Sequence, residues 1–180
     1  ELRNTDNLAQ VLASRSVAET PAVEVKGSSG DDQLSVDLGA PLDIPVTFVD
    51  ATTTDHDTLN LSATTDDLFV RFVAGGDFTA ESGTNTVAAT HVEKIKGGSG
   101  DDTYLVGDGW GSRAVDDTST ADDDTLDLSA ATGDLVLAIH QDCTIVVTDA
   151  TNTLTTSAGI ANLIGGRGAD VFQFANGASI

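Results

Sequence analysis

Three glycine-rich turns closed by aspartate are the places where this chain could do chemistry. They are Val25-Lys26-Gly27-Ser28-Ser29-Gly30-Asp31-Asp32, Ile95-Lys96-Gly97-Gly98-Ser99-Gly100-Asp101-Asp102 and Leu163-Ile164-Gly165-Gly166-Arg167-Gly168-Ala169-Asp170. Such a turn offers backbone carbonyl and carboxylate oxygens together. Calcium takes roughly six to eight oxygen ligands at about 2.3–2.6 Å and tolerates irregular geometry. The segment Gly97–Leu105 fits the nonapeptide G-G-x-G-x-D-x-U-x, with Asp102 sixth and Tyr104 as the large apolar residue. Gly165–Gln173 fits throughout, and Gly27–Ser35 fits except that Ser28 stands at the second glycine.

Each of the first two turns is followed, 25 and 22 residues later, by a second acidic cluster: Asp55-His56-Asp57 and Asp122-Asp123-Asp124. If one coil of chain takes that length, neighbouring turns lie about 4.8 Å apart along the coil axis, and both reach one ion. The candidate ligands are therefore Gly98, Gly100 and Asp102 with Asp122, Asp123 and Asp124, and Gly30 and Asp32 with Asp55 and Asp57. Gly168 and Asp170 form the third turn, expected to lack a full site because its next coil is not in the chain. Asp66-Asp67, Asp116-Asp117 and Asp134 read as solvated turns.

At these residues the chain resembles the haemolysin-type (RTX-like) calcium-binding repeats of secreted bacterial proteins. That resemblance implies glycines that bend the backbone and aim carbonyls inward, and an aspartate that closes on Ca2+. It covers 27 of 180 residues, and the nonapeptides stand singly rather than in tandem. The wider unit, Asp124-Thr-Leu-Asp-Leu-Ser leading to Leu163-Ile-Gly-Gly-Arg-Gly-Ala-Asp170, is similar to repeats of very large bacterial surface and adhesin-like proteins. The resemblance implies a secreted or cell-surface location. The partners it implies are calcium ions, with cell-surface glycans or other copies of the repeat array beside them.

The elements that must position these turns follow from composition. Of 29 acids, 24 are Asp, against 8 Lys+Arg, for a net charge of −21. Asp and Gly favour turns, while the abundant Val, Ile and Thr favour strands. In Thr125-Leu126-Asp127-Leu128 the leucines alternate with polar residues at the strand period. Strands are expected at Gln33–Asp37, Val46–Val49, Thr58–Leu61, Leu68–Val73, Thr103–Val106, Thr125–Leu128, Leu135–Ile139, Thr144–Thr148 and Val171–Phe174. The segment Asp57-Thr-Leu-Asn-Leu-Ser-Ala recurs 67 residues on as Asp124-Thr-Leu-Asp-Leu-Ser-Ala. Units of about 25–94 and 95–162, with a partial unit 163–180, make the chain a piece of a longer array, each unit three coils long.

The expected fold is all-β: a right-handed parallel β-solenoid over 21–180, with 1–20 as a cap or linker in which Leu8, Val11, Leu12 and Arg15 fall at helical spacing. An antiparallel sandwich of two 70-residue domains is the rival. Leu34, Leu59, Leu61, Tyr104, Leu126, Leu128, Phe172 and Phe174 should stack in or near one core column.

The charge repels phosphate backbones, so nucleic acid is excluded, and no apolar run is long enough to insert into a membrane. One Cys excludes a disulfide framework. His56, His91 and His140 occupy non-equivalent positions, and nothing near His140 and Cys143 supplies an oxyanion loop, so no catalytic residue is assigned. Trp110 reads as a loop anchor, with stacking on a sugar as the alternative. The expected function is a calcium-stiffened structural segment of an adhesin or extracellular-matrix type. A carbohydrate-binding or polysaccharide-cleaving β-helix is the other reading.

Overall fold

The computed structural model describes residues 20–42, 44–75, 77–117, 119 and 121–178, and the backbone of 2–4 and 7–13. No helix occurs among these residues. The strands are β1 (Leu2–Asn4), β2 (Asn7–Ala13), β3 (Val23–Lys26), β4 (Gln33–Ser35), β5 (Val46–Val49), β6 (Thr58–Asn60), β7 (Phe69–Phe72), β8 (Phe78–Ser82), β9 (Asn85–Thr90), β10 (Lys94–Lys96), β11 (Thr103–Gly107), β12 (Ser112–Asp116), β13 (Asp124–Ala130), β14 (Val136–Ile139), β15 (Ile145–Thr148), β16 (Thr153–Thr156), β17 (Ile160–Ile164) and β18 (Val171–Phe174).

The expected N-terminal helix is absent from the described residues. Asn7–Ala13 is extended and pairs antiparallel with β1 as a separate two-stranded sheet. A helix of this length is marginal on its own, and pairing with β1 satisfies backbone groups that an isolated helical turn would leave to water. Arg15, the last residue of the helical spacing, lies outside the described residues.

The other strands form two eight-stranded mixed sheets. Sheet I runs β17-β13-β11-β7-β8-β9-β5-β3 and sheet II runs β18-β14-β15-β16-β12-β10-β6-β4. Ten of the fifteen strand pairs are parallel. The antiparallel ones are β1–β2 and two meanders, β7-β8-β9 in sheet I and β14-β15-β16 in sheet II. Outside the meanders the chain passes to the other sheet after every strand. Alternation decides which face goes in. Strand β13 buries Asp124, Leu126 and Leu128 and turns Thr125 and Asp127 outward. Strand β8 does the same with Phe78, Ala80 and Ser82. The inward residues of both sheets form one cluster, in which Leu59 and Ile95 from sheet II meet Val70, Tyr104 and Leu126 from sheet I.

The repeat is visible in the pairing itself. A shift of seven strands carries each pair of the first unit onto a pair of the second, in the same register. Val25 faces Phe48 as Ile95 faces Val115, Leu34 faces Leu59 as Tyr104 faces Leu126, and Val70 faces Tyr104 as Leu137 faces Phe172. The sheets, however, are exchanged: β3, β10 and β17 lie in I, II and I. Each unit passes between the sheets five times, a meander counting as one strand, and an odd number returns the next unit to the opposite sheet. Three full coils would have taken six passes and left each unit in the same sheet as the last. The stretch read as an extra coil is spent as a meander inside one sheet.

That exchange corrects the expected core column. Leu59, Leu61, Tyr104, Leu126 and Leu128 are buried and Leu34 packs against them, but they divide between the two sheets. Phe172 and Phe174 are 45% and 60% exposed.

Candidate metal centres

All strands of sheet I outside its meander run in the same direction, so corners leading from I to II lie at one lateral edge and corners from II to I at the other. On the first edge the corner after β3 lies beside the corner after β5. There Asp32, Asp50 and Asp57 each offer a carboxylate oxygen within 4.8 Å of the others. On the opposite edge the corners after β10 and β12 do the same with Asp102, Asp117 and Asp124. Two oxygens on opposite sides of an ion at about 2.4 Å are about 4.8 Å apart, so each triad is compact enough for one cation.

The two clusters are copies. The Asp32 amide donates to Asp57 Oδ1 at 2.6 Å and the Asp102 amide to Asp124 Oδ1 at 2.8 Å. Within each glycine-rich turn, Ser28 N and Gly98 N donate to Oδ2 of Asp32 and Asp102 at 2.5 and 2.9 Å. Thr52 N donates to Asp50 Oδ2 and Ser119 N to Asp117 Oδ1. The turns are also latched to each other: His56 N donates to Asp31 Oδ1 and Asp123 N to Asp101 Oδ1, both at 2.9 Å.

After these bonds, buried oxygens remain without a hydrogen-bond donor. They are Asp50 Oδ1, Asp55 Oδ2 and Asp57 Oδ2 in the first cluster, and both Asp122 oxygens and Asp124 Oδ2 in the second. Asp50, Asp57, Asp102, Asp117 and Asp124 are each no more than 1% exposed. Carboxylates withdrawn from water and from donors favour the neutral form, or a cation. Burial, with repulsion from Asp50, Asp55 and Glu93, pushes Asp57 up to about 6. Burial likewise raises Asp102 to about 6. It raises Asp124 to about 8, helped by Asp117, Asp122 and Asp102, and raises Asp117 as well. Asp50 alone is lowered, by the Thr52 amide. Among the described residues the ion pairs join Lys26 to Glu24, Lys94 and Lys96 to Asp116, and Arg113 to Glu93. None of them touches a triad carboxylate.

No family model, curated protein or solved structure matches this chain. Its site has to be read from its own residues.

The structure brings together Asp32 with Asp57 and Asp102 with Asp124, as the spacing of coils implied. Asp55 and Asp122 lie close enough to raise the neighbouring carboxyls and keep bare oxygens. Asp123 is exposed and contributes its amide to a latch. Gly98, Gly100 and Gly168 serve close approach. A Cβ at Gly98 would lie 2.6 Å from the Thr64 carbonyl, one at Gly100 2.7 Å from the Asp67 amide, and one at Gly168 would strike the Gly133 carbonyl. Gly30 has open space around it. Asp170 holds the Leu135 amide at 3.1 Å, as Asp102 holds that of Leu68 at 2.8 Å, and it belongs to no triad.

The acids missing from the sequence-derived set are Asp50 and Asp117. Asp117 is buried, not a solvated turn. The signal was present as a repeated D-x4-D-x-D: Asp50-Ala-Thr-Thr-Thr-Asp55-His-Asp57 and Asp117-Thr-Ser-Thr-Ala-Asp122-Asp-Asp124. Gly27 and Gly97 are its complement, because a Cβ at either would collide with the carboxylate of Asp50 or Asp117. Trp110 is buried in the core and presents no face to a sugar. It is held between Gly109 and Gly111, which adopt φ of +73° and +76°.

Proposed function

We propose that this chain is a calcium-binding structural segment of a secreted or cell-surface repeat protein, of adhesin or extracellular-matrix type. One ion would sit at Asp32, Asp50 and Asp57 with Asp55 beside them, and one at Asp102, Asp117 and Asp124 with Asp122. The supporting observation is the pair of repeat-equivalent clusters whose buried carboxylate oxygens lack donors. An all-oxygen set without His or Cys suits a hard cation. Magnesium, which holds its waters and wants strict octahedral geometry, fits a buried carboxylate cluster less well. The resemblance to haemolysin-type repeats agrees at the Gly-Asp turns. The second half of each site here comes from the D-x4-D-x-D corner.

In this reading the two sheets are the walls of a parallel β-solenoid. The hand would be right, since parallel crossovers in one sheet are overwhelmingly right-handed. The ions tie each coil to the next at its corners, and the role is mechanical and adhesive rather than catalytic. Calorimetric titration of the chelator-stripped chain should find two calcium ions. Asp50→Asn and Asp117→Asn should each find one. Absence of binding at millimolar calcium would overturn the reading.

A further inference from the structure

A groove of about 630 Å³ opens beside the first acidic corner. Part of its lining is a row on the outer face of sheet II, where Thr58, Lys94, Ala114 and Thr155 stand in register across β6, β10, β12 and β16. Asp55 and His56 come from the D-x4-D-x-D corner, His91 and Glu93 from the next corner on that edge, and Arg113 from the start of β12. The chain has 8 Lys and Arg and 3 His against 29 acids. This one groove gathers Lys94, Arg113, His56 and His91 against Asp55 and Glu93. Both of those acids are engaged. Asp55 takes the Thr52 hydroxyl, and Glu93 holds the Asp57 amide at 3.0 Å and lies 3.8 Å from the Arg113 guanidinium. The corner itself does not require the basic groups. In its repeat copy Asp123, Ile160 and Asn162 stand where His56, Glu93 and Lys94 stand here, and the backbone latch between turns is the same.

We infer that this groove binds an acidic glycan, with a uronate carboxylate at Arg113 and Lys94 and ring hydroxyls at the Thr and His side chains. The lining carries five hydroxyl side chains and, among the described residues, nothing apolar larger than alanine. An apolar ligand finds no surface there, and a peptide finds no seat for its larger side chains. The planar fork of Arg matches a carboxylate. Lys94 is paired with Asp116 at 2.7 Å, but its side chain is 38% exposed. Exposed pairs of that kind are worth little, so a ligand carboxylate can replace Asp116. A cation in the first corner would offset the charge of Asp50, Asp55 and Asp57 beside the groove, so calcium strengthens the binding. The inference gives the adhesive role proposed above its ligand and rests on that reading for the calcium effect. The site itself rests on the lining of the groove.

The probe is a tetrasaccharide of alternating glucuronate and N-acetylglucosamine, titrated into the full chain in saturating calcium. It should bind one to one. The same sugar with its carboxyls reduced to alcohols should bind at least about tenfold more weakly, the worth of one charge-assisted hydrogen bond. Lys94→Gln and Arg113→Gln should each weaken the acidic sugar by a similar factor, whereas Lys26→Gln, at an exposed pair with Glu24 away from the groove, should not. Both groove variants should still take two calcium ions, which separates loss of the groove from loss of the fold. In chelator the sugar should bind more weakly. Two calcium ions taken up with no sugar bound would overturn the groove inference and leave the calcium reading standing. Sugar bound without any calcium uptake would overturn the calcium reading and leave the groove. Equal binding of the reduced sugar, or an equal loss in Lys26→Gln, would overturn the role given to Lys94 and Arg113. A glutamate peptide of the same charge binding as tightly would overturn the glycan assignment, and equal binding in chelator would overturn the link to the first corner.

Discussion

The corner holding Asp32, Asp50 and Asp57 and the corner holding Asp102, Asp117 and Asp124 share a backbone plan and differ in what surrounds it. In the first, Asp32 is half-buried, Leu34 stands two residues on, and Glu93 accepts the Asp57 amide at 3.0 Å. In the second, all three aspartates are buried and Ile160 takes the place of Glu93. Tyr104 replaces Leu34 and donates its hydroxyl to Asp117 Oδ2 at 2.6 Å. One cluster is open to water at one member; the other is closed and supplied with a neutral donor. The second should therefore depend more on a counter-ion, and its response to ion removal, substitution and pH should be the stronger.

The largest effect is expected from removing the ions altogether. Ligand at about 100 times its dissociation constant adds about 2.7 kcal/mol per site, and a domain of this size shifts by about 2–4 °C per kcal/mol. Chelator should lower the melting temperature by about 10–20 °C. A melt indifferent to chelator would mean that the acids tolerate one another unaided and that the two corners do not differ in the way argued.

Single substitutions separate the corners. Asp117→Asn and Asp50→Asn each remove a charge from a crowded, buried set. In chelator Asp117→Asn should be at least as stable as the parent, because like-charge repulsion is relieved, whereas Asp50→Asn gives up the carboxylate that the Thr52 amide favours and should not gain. In saturating calcium both should melt lower, by roughly 5–10 °C, the loss of one site's contribution, with Asp117→Asn the lower of the two. Asp134→Ala, at an exposed turn where the carboxylate holds the Ala169 amide, should keep the parent's calcium stoichiometry. A purely structural role for Asp117 would show as destabilisation in both solutions.

The pH response follows from the raised carboxyls. In the chelated protein the folded form keeps protons that the unfolded chain releases near pH 4. The contribution of these carboxyls to stability is therefore greatest at low pH and declines as pH rises. The first corner should finish its decline just above pH 6, where Asp57 ionises, and the second should continue to about pH 8 through Asp124. With calcium present the sign reverses over the same window, because the ion takes the deprotonated site. Asp124→Asn should flatten the chelated profile between pH 6 and 8 and leave the lower part in place. A profile unchanged by that substitution would remove the proposed difference between the corners.

How much of this could be read in the chain depends on which residues carry it. Every strand expected from alternation has a counterpart, from Gln33–Ser35 to Val171–Phe174. The Gly-Asp turns stand next to the acidic corners that the coil length pointed to. Strands β10 and β12 escaped because Lys94-Ile95-Lys96 and Ser112–Asp116 hold a single large apolar residue each. Strands β8 and β9 escaped because Ala80, Ser82 and Ala89 are small inward residues with little hydrophobic signal. The exchange of sheets was out of reach of local patterning, since it depends on how many times the chain crosses, and a meander of 22 residues has the length of a coil. Asp50 and Asp117 were legible in the D-x4-D-x-D spacing, but a buried acid and a solvated one look alike until the corner beside it is known.

The smallest effect is the most specific to one corner. Tyr104 is buried, and its hydroxyl lies 2.6 Å from Asp117 Oδ2 and 3.4 Å from Asp102 Oδ2. Leu34, its equivalent in the first corner, offers nothing of the kind. Tyr104→Phe keeps the ring in the core and leaves that Asp117 oxygen without its donor. The cost of such a buried orphan starts at about 1 kcal/mol, so the chelated variant should melt at least about 2–4 °C lower than the parent. The hydroxyl donates to the carboxylate and is not itself needed as a ligand, so the freed oxygen can turn to the cation. Calcium affinity at the second corner should therefore be no weaker in the variant, and the gain in melting temperature on adding calcium should widen. Calorimetry on Tyr104→Phe in the Asp50→Asn background isolates that corner. A marked loss of affinity there would make the hydroxyl a ligand of the ion, and the two corners would then differ in coordination rather than in how they endure its absence.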